Sequence, residues 1–261
     1  MGQESFADRV AIVTGAGQGM GEVFARALAA AGAIVGVAEV DPETGSRTAD
    51  DITAAGGRAH PYVVDVRDKT AIDAMTTDLV ARYGRLDILV NNAGVAAGGP
   101  SEDVLEADWD RVYGIMLKGM FLCSQSVARM MIPQGRGVIV NICSMAGIGG
   151  WAKRALYTPA KAGAISLTQV LGVEWARHGI RVVGINPGQI ETPLNEYVFS
   201  RGLASREQFT NRAPMRRFGS PKEIAEAVLF LASDAASGIT AEVVTIDGGW
   251  TAWGGIEAID A

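Results

Sequence analysis

Tyr157 and Lys161 stand four residues apart, so on a helix they share one face about one turn apart, and the ammonium group can reach the phenol. A free phenol releases its proton near pH ~10. A neighbouring cation favours the phenolate, and proton-transfer catalysis needs an acid or base that works nearer neutrality. Ser144 follows the apolar run Gly137-Val138-Ile139-Val140-Asn141-Ile142, which reads as a buried parallel strand. Its hydroxyl then lies at a strand's carboxyl edge, where ligands bind in open α/β sheets. Hydroxyl, phenol and ammonium brought to one crevice suit proton transfer. Tyr-x-x-x-Lys alone also describes a half-buried tyrosine beside a solvated lysine, so the trio gains meaning only from its surroundings.

Residues 9–14 predict a short strand that runs into Gly15-Ala16-Gly17-Gln18-Gly19-Met20-Gly21, after which Val23, Phe24, Ala27, Leu28 and Ala31 recur with helical spacing. Strand, glycine turn and helix is an order that cradles phosphate. Glycines permit positive φ and close backbone approach, and the amides and dipole of a helix N-terminus favour a pyrophosphate. A second strand over residues 33–38 ends at Glu39, where a carboxylate that binds the adenine ribose hydroxyls is expected. An acid there repels a 2′-phosphate, and with Gln18 and Val40 uncharged no nearby basic residue is expected to receive one. Helices over 42–55 and Lys69–Tyr83 and strands over 59–64 and 86–90 follow, then strand 180–185, helix Pro221–Ala232 and strand Val243–Ile246. This alternation predicts an α/β fold, a doubly wound parallel sheet of about seven strands with helices on both faces.

With 261 residues and 48% hydrophobic content, the chain can build a substantial core, and the unbroken rhythm predicts a single domain over residues 1–261. A net charge of -6 and a pI near 5.0, without a basic cluster, exclude a nucleic-acid footprint. No apolar run approaches the ~20 residues of a membrane span, and residues 1–5 lack the basic-then-apolar order of a signal peptide. No membrane partner and a cytoplasmic location are expected. Cys123 and Cys143 have no metal-ligand spacing and read as small buried hydrophobes; no metal is expected, and neither His60 nor His178 is assigned chemistry.

Thr14-Gly-x-x-x-Gly-x-Gly21, Asn91-Asn92-Ala93-Gly94, Ser144, Tyr157-x-x-x-Lys161 and Asn186-Pro187-Gly188 follow in an order that resembles the short-chain dehydrogenase/reductase family across nearly the whole chain. The resemblance implies a Rossmann-like fold and an oxidoreductase that moves a hydride between NAD(H) and a secondary alcohol or ketone. Polyols, sugars and cyclic or aliphatic carbonyls all remain open as substrates. It implies Tyr157 as general acid/base, Lys161 supporting it and holding the nicotinamide ribose, and Ser144 holding the substrate oxygen. Gly15, Gln18, Gly19 and Met20 are implied at the pyrophosphate, Glu39 at the adenosine ribose, Asp65 and Val66 at adenine, and Asn92 along the cofactor. Pro187, Gly188, Ile190 and Thr192 would wrap the nicotinamide end.

The chain departs from the family at Met116, where an asparagine commonly precedes Leu-Lys-Gly and helps place a water that links the lysine to solvent. A thioether cannot replace an amide's hydrogen bonds. Residues 191–219 read as an irregular segment resembling the family's substrate lid. Leu194, Tyr197, Val198 and Phe199 are candidates for its inner face, and Trp151 for a further pocket wall. No arginine falls in the motif positions lining the crevice, so pyruvate-like and phosphorylated substrates are not expected. The C-terminal helix and strand resemble the family's tetramer-forming end, where Trp250 and Trp253 suit an interface; a homotetramer is expected. An alternative from another class is a non-catalytic nucleotide-sensing or scaffold protein of the same fold, supported only by Met116.

Overall fold

The computed structural model describes residues 6–192 and 205–254. Seven parallel strands order as β3-β2-β1-β4-β5-β6-β7: β1 (Val10–Thr14), β2 (Ile34–Glu39), β3 (Arg58–Val63), β4 (Ile88–Asn91), β5 (Gly137–Ile142), β6 (Ile180–Pro187) and β7 (Val243–Ile246). The order reverses at β1, where β2 lies on one side and β4 on the other. The carboxyl ends of β1, β4, β5 and β6 therefore meet around one crevice.

Successive residues of each strand supply opposite faces, and both faces are covered. Ala11, Val13, Val90 and Val140 pack with Phe24 and Leu28 of α1 (Gly19–Ala30), Ile52 of α2 (Pro42–Ala54) and Ile224 and Val228 of α8 (Pro221–Ala232). Ile12, Leu89 and Ile139 pack with Leu79 of α3 (Lys69–Tyr83), Val127 of α5 (Met120–Gln134) and Leu171 of α6 (Tyr157–Trp175). Burial on both sides explains why these strands read as continuous apolar runs rather than alternating ones.

α4 (Glu106–Tyr113) passes into α5 through a π-helical turn over Gly114–Gly119. The continuous helix Glu106–Gln134 is long and apolar enough to cross a membrane, a stretch the sequence analysis did not single out; half of its most apolar window is buried within the protein, as in a core helix. Within the expected irregular segment, α7 (Arg206–Arg212) forms a short helix capped by the Ser205 hydroxyl. Leu194, Tyr197, Val198 and Phe199 lie outside the described residues. Cys123 and Cys143 are buried as expected, and burial pushes the Cys123 thiol up to about 12.

Candidate active site

Ser144 follows β5 with extended backbone and caps the single 3₁₀ turn Met145–Gly147, its hydroxyl accepting from the Ala146 N–H at 3.1 Å. Its own N–H donates to Asn186 Oδ1 at 3.2 Å, which joins the ends of β5 and β6. Gly147 lets this turn lie directly on α6: a Cβ there would stand 2.8 Å from the Lys161 carbonyl carbon and 2.9 Å from the Ala162 nitrogen. That close approach sets the Ser144 turn against α6 at Lys161 and Ala162, one turn beyond Tyr157.

Tyr157 is the first residue of α6 and half-buried, whereas Lys161 is 4% exposed. The Lys161 ammonium donates to the Ile142 carbonyl at 2.7 Å and stands 5.9 Å from the centroid of the Tyr157 ring. One buried cation thus ties the last residue of β5 to the helix that carries the phenol. Behind it runs a buried polar chain that sequence reasoning missed. Asn91 donates to Ser124 and to Asn141, Asn141 donates to Thr168, and Thr168 donates to the Ala164 carbonyl. An asparagine inside the apolar run of β5 was the available signal, since a polar group in a buried strand must find partners.

Gly15 and Gly19 take positive φ of 62° and 60° in the turn after β1. Asp41 and Asp68 cap α2 and α3 with their carboxylates, but no side chain caps α1 at Gln18, so its first amides are left for an anion. Gly21 must be glycine, because a Cβ there would lie 2.0 Å from the Gly15 carbonyl oxygen. The Glu39 carboxylate accepts from the Gly17 N–H at 2.9 Å and the Val40 N–H at 2.8 Å, placing it beside the turn. These residues fit a dinucleotide: uncapped amides for its pyrophosphate and a carboxylate at the next strand end for its ribose.

Arg47 of α2 donates to the Gly17 carbonyl at 2.9 Å, so a basic residue does lie beside the glycine turn, 30 residues along the chain from it. Asn92 spends its side-chain amide on the Thr14 and Gly15 carbonyls, both at 3.1 Å, and holds the turn against β4. Thr14, which opens the glycine motif, accepts from the Asn92 and Ala93 N–H groups. Both Asp65 oxygens accept from Arg67, whose hydrogen bonds hold the carboxyl below its ordinary range. Val66 is buried against Gly119 at the end of the π turn.

Pro187 ends β6, and the Gly188 N–H donates to the Ile246 carbonyl at 2.8 Å. Ile190 bridges to Gly219 and turns its side chain into the core, while Thr192 is half-buried. Met20 is half-buried at the start of α1. Trp151 stacks on Trp250 with centroids 5.7 Å apart, and Trp250 also meets Phe209 at 5.8 Å. Trp250 and Trp253 also take part in contacts within the chain, both lying against the Arg212 guanidinium. Leu194 and Tyr197 lie outside the described residues.

A nucleotide-cradling turn at the switch point, with serine, tyrosine and lysine gathered at the neighbouring strand ends, defines a nicotinamide-dependent oxidoreductase. The family described as enoyl-(acyl carrier protein) reductase matches residues 15–251. The chain is 41% identical to cis-4-hydroxycyclohexanecarboxylate dehydrogenase of Sinomonas cyclohexanicum, over 95% of this chain and 99% of that one. It is 38% identical to 3-oxoacyl-[acyl-carrier-protein] reductase of Thermotoga maritima, over 92% of this chain and 97% of that one. The crystal structure of levodione reductase superimposes with a TM-score of 0.90 at 38% identity, covering 95% of this chain and 99% of that one. Related solved structures hold NADP in one case and NADH in another.

The chain belongs to the short-chain dehydrogenase/reductase family. It is an oxidoreductase that uses a nicotinamide cofactor to interconvert a secondary alcohol and a ketone, and no comparison supports the non-catalytic alternative.

Proposed function

We propose that this protein is an NAD-dependent dehydrogenase/reductase in which Tyr157 moves the proton, Ser144 holds the substrate oxygen and Lys161 supports the phenol. The observation that carries the reading is the Lys161 ammonium, buried and anchored on the Ile142 carbonyl at 2.7 Å below the Tyr157 ring. When bound, the nicotinamide supplies the hydride chemistry. Ser144, on a turn seated against α6, hydrogen-bonds the oxygen of the alcohol or ketone. Tyr157 Oη takes the proton in oxidation and returns it in reduction, and the neighbouring cation stabilises the phenolate left behind.

Gly15, Gln18, Gly19 and Met20 would hold the pyrophosphate, Glu39 the adenosine ribose, and Asp65 and Val66 the adenine. Asn92 acts through the turn it clamps, and Pro187, Gly188, Ile190 and Thr192 line the nicotinamide end, Ile190 through its backbone. Glu39 supports NAD over NADP, because its carboxylate lies where a 2′-phosphate would approach. Arg47 weakens that preference only in so far as it can leave the Gly17 carbonyl. The substrate class is a secondary alcohol or ketone on a polyol, sugar or ring, admitted beside Trp151 beneath a lid over residues 191–219 of a single domain.

A homotetramer and a cytoplasmic location complete the proposal. Trp109, Phe121, Val170 and Val173 on α4, α5 and α6, with Val244 on the edge strand β7, are exposed apolar side chains suited to subunit contacts. The test of the catalytic assignment is Tyr157→Phe, which keeps the ring and removes the transferable proton. Turnover should fall ~10²- to 10⁴-fold with NADH binding retained. More than about a tenth of the wild-type rate would refute it.

A further inference from the structure

Arg212, the last residue of α7, belongs to none of the motifs above. Its guanidinium stands 5.4 Å from the centroid of Trp250 and 4.8 Å from that of Trp253. Nη2 donates to the Trp253 carbonyl at 3.0 Å. Nη1 is buried and has no hydrogen-bond partner among the described residues. A buried cationic N–H without an acceptor is costly to keep.

The surroundings connect this group to the active site. Trp250, beneath the guanidinium, stacks on Trp151, which lies in the loop between the Ser144 turn and Tyr157. The Met215 N–H, just past α7, donates to the Gly248 carbonyl at 3.1 Å, and the Gly188 N–H donates to Ile246 in the strand before it. Arg212 is therefore linked through Trp250 to Trp151, in the loop that leads from the Ser144 turn to Tyr157. Arg154 is nearer to Tyr157 in sequence, but its Nη1 is tied to the Ala97 carbonyl at 3.1 Å.

We propose that Arg212 determines substrate specificity, its Nη1 binding the carboxylate of a hydroxy acid or keto acid whose apolar body lies against Trp151 and Trp250. The proposal rests on the reading of Ser144 and Tyr157 given above. Two indoles hold the guanidinium plane in place, so a carboxylate meets a pre-oriented, charge-assisted donor. The apolar surface of the two indoles favours an apolar ring or chain between that anion and the reacting carbon. The motif positions offer no such arginine; the fold brings one from α7.

The experiment compares cis-4-hydroxycyclohexanecarboxylate with its methyl ester as substrates, and uses cyclohexanecarboxylate, which has no hydroxyl to oxidise, in a tryptophan-fluorescence titration. Wild-type kcat/KM should favour the acid over the ester by roughly tenfold to a hundredfold. Arg212→Met should bring that ratio to about one, and Arg212→Lys should keep part of it. Because each ratio is taken within one protein, general damage to the fold cancels. Cyclohexanecarboxylate should quench wild-type fluorescence saturably, and this should be lost in Arg212→Met. A wild-type ratio near one, a ratio unchanged in Arg212→Met, or the absence of saturable quenching would overturn the proposal. Intact quenching with no turnover of either substrate would support the anion site and count against the catalytic assignment instead.

Discussion

Met116 is the position where a change toward the family pattern should cost stability without improving catalysis. Its side chain is 1% exposed and packs among Ala97, Val112, Leu156 and Ala160, with Tyr157 against the same cluster. It lies inside the π turn Gly114–Gly119. A π turn widens the helical hydrogen-bond ring from four residues to five, so where it meets the α-helical ladder one carbonyl is left without its usual amide. That carbonyl can hold a water whatever the side chain, and so can replace the relay contact that an asparagine provides elsewhere in the family.

Met116→Asn would set an amide in an apolar cluster. An unsatisfied buried amide costs about 1–3 kcal/mol, and the lost apolar contacts add about 1–2 kcal/mol. At about 2–4 °C per kcal/mol for a chain of this size, the melting temperature should fall by roughly 4–20 °C. Met116→Leu, which keeps apolar volume, should cost less than about 1.5 kcal/mol. The turnover rate of Met116→Asn should stay within about tenfold of wild type, equivalent to ~1.4 kcal/mol of barrier. Circular-dichroism melts give the first quantity, and steady-state rates with a solvent isotope effect give the second. A variant that melts like the wild type and turns over more than tenfold faster would refute the reasoning, because the amide would then have found partners in a relay the π turn does not complete.

Three further outcomes follow from the site. On the proposed assignment of Glu39, the wild type should prefer NAD(H) by ~1–3 kcal/mol, roughly tenfold to a hundredfold in specificity, and Glu39→Arg should erode that preference; equal use of both cofactors by the wild type in steady-state kinetics would rule this out. Gly147→Ala forces a Cβ to within 2.9 Å of the α6 backbone, so kcat should fall while NADH affinity, measured by fluorescence, is retained; unchanged kcat would mean that the Ser144 turn is not held by this contact. Glu223 is paired with Arg217 and bonded by the Ser220 N–H, which hold its carboxyl at about 2 rather than 4.5. A depressed folded-state pKa stabilises above the unfolded value and is lost as pH falls through the folded one. The urea-midpoint advantage of wild type over Glu223→Gln, under about 1 kcal/mol for so exposed a pair, should therefore shrink from about pH 5 towards pH 2.

What could be read from the sequence was local. The apolar runs of β1, β4 and β5, the glycine turn and the Tyr157–Lys161 spacing each announce themselves within a few residues, and the doubly wound parallel sheet follows from the strand–helix alternation. The contacts that escaped act across the chain. Arg47 reaches Gly17 over 30 residues, Thr168 reaches Asn141 over 27, and Asn92 reaches Thr14 over 78. None has a periodicity or spacing that betrays its partner, because the partner is set by which strand ends the sheet brings together. The same reasoning explains the contacts the tryptophans make within the chain. The sheet returns β7 beside β6 and so carries the turn after it past α7, where Trp250 meets Trp151 and Phe209. The motifs specify the reaction because its chemistry needs a few groups at a fixed spacing. The substrate is specified by residues such as Trp151, Trp250 and Arg212, which become neighbours only when the chain folds, and substitutions there should alter which alcohol is oxidised before they alter whether one is.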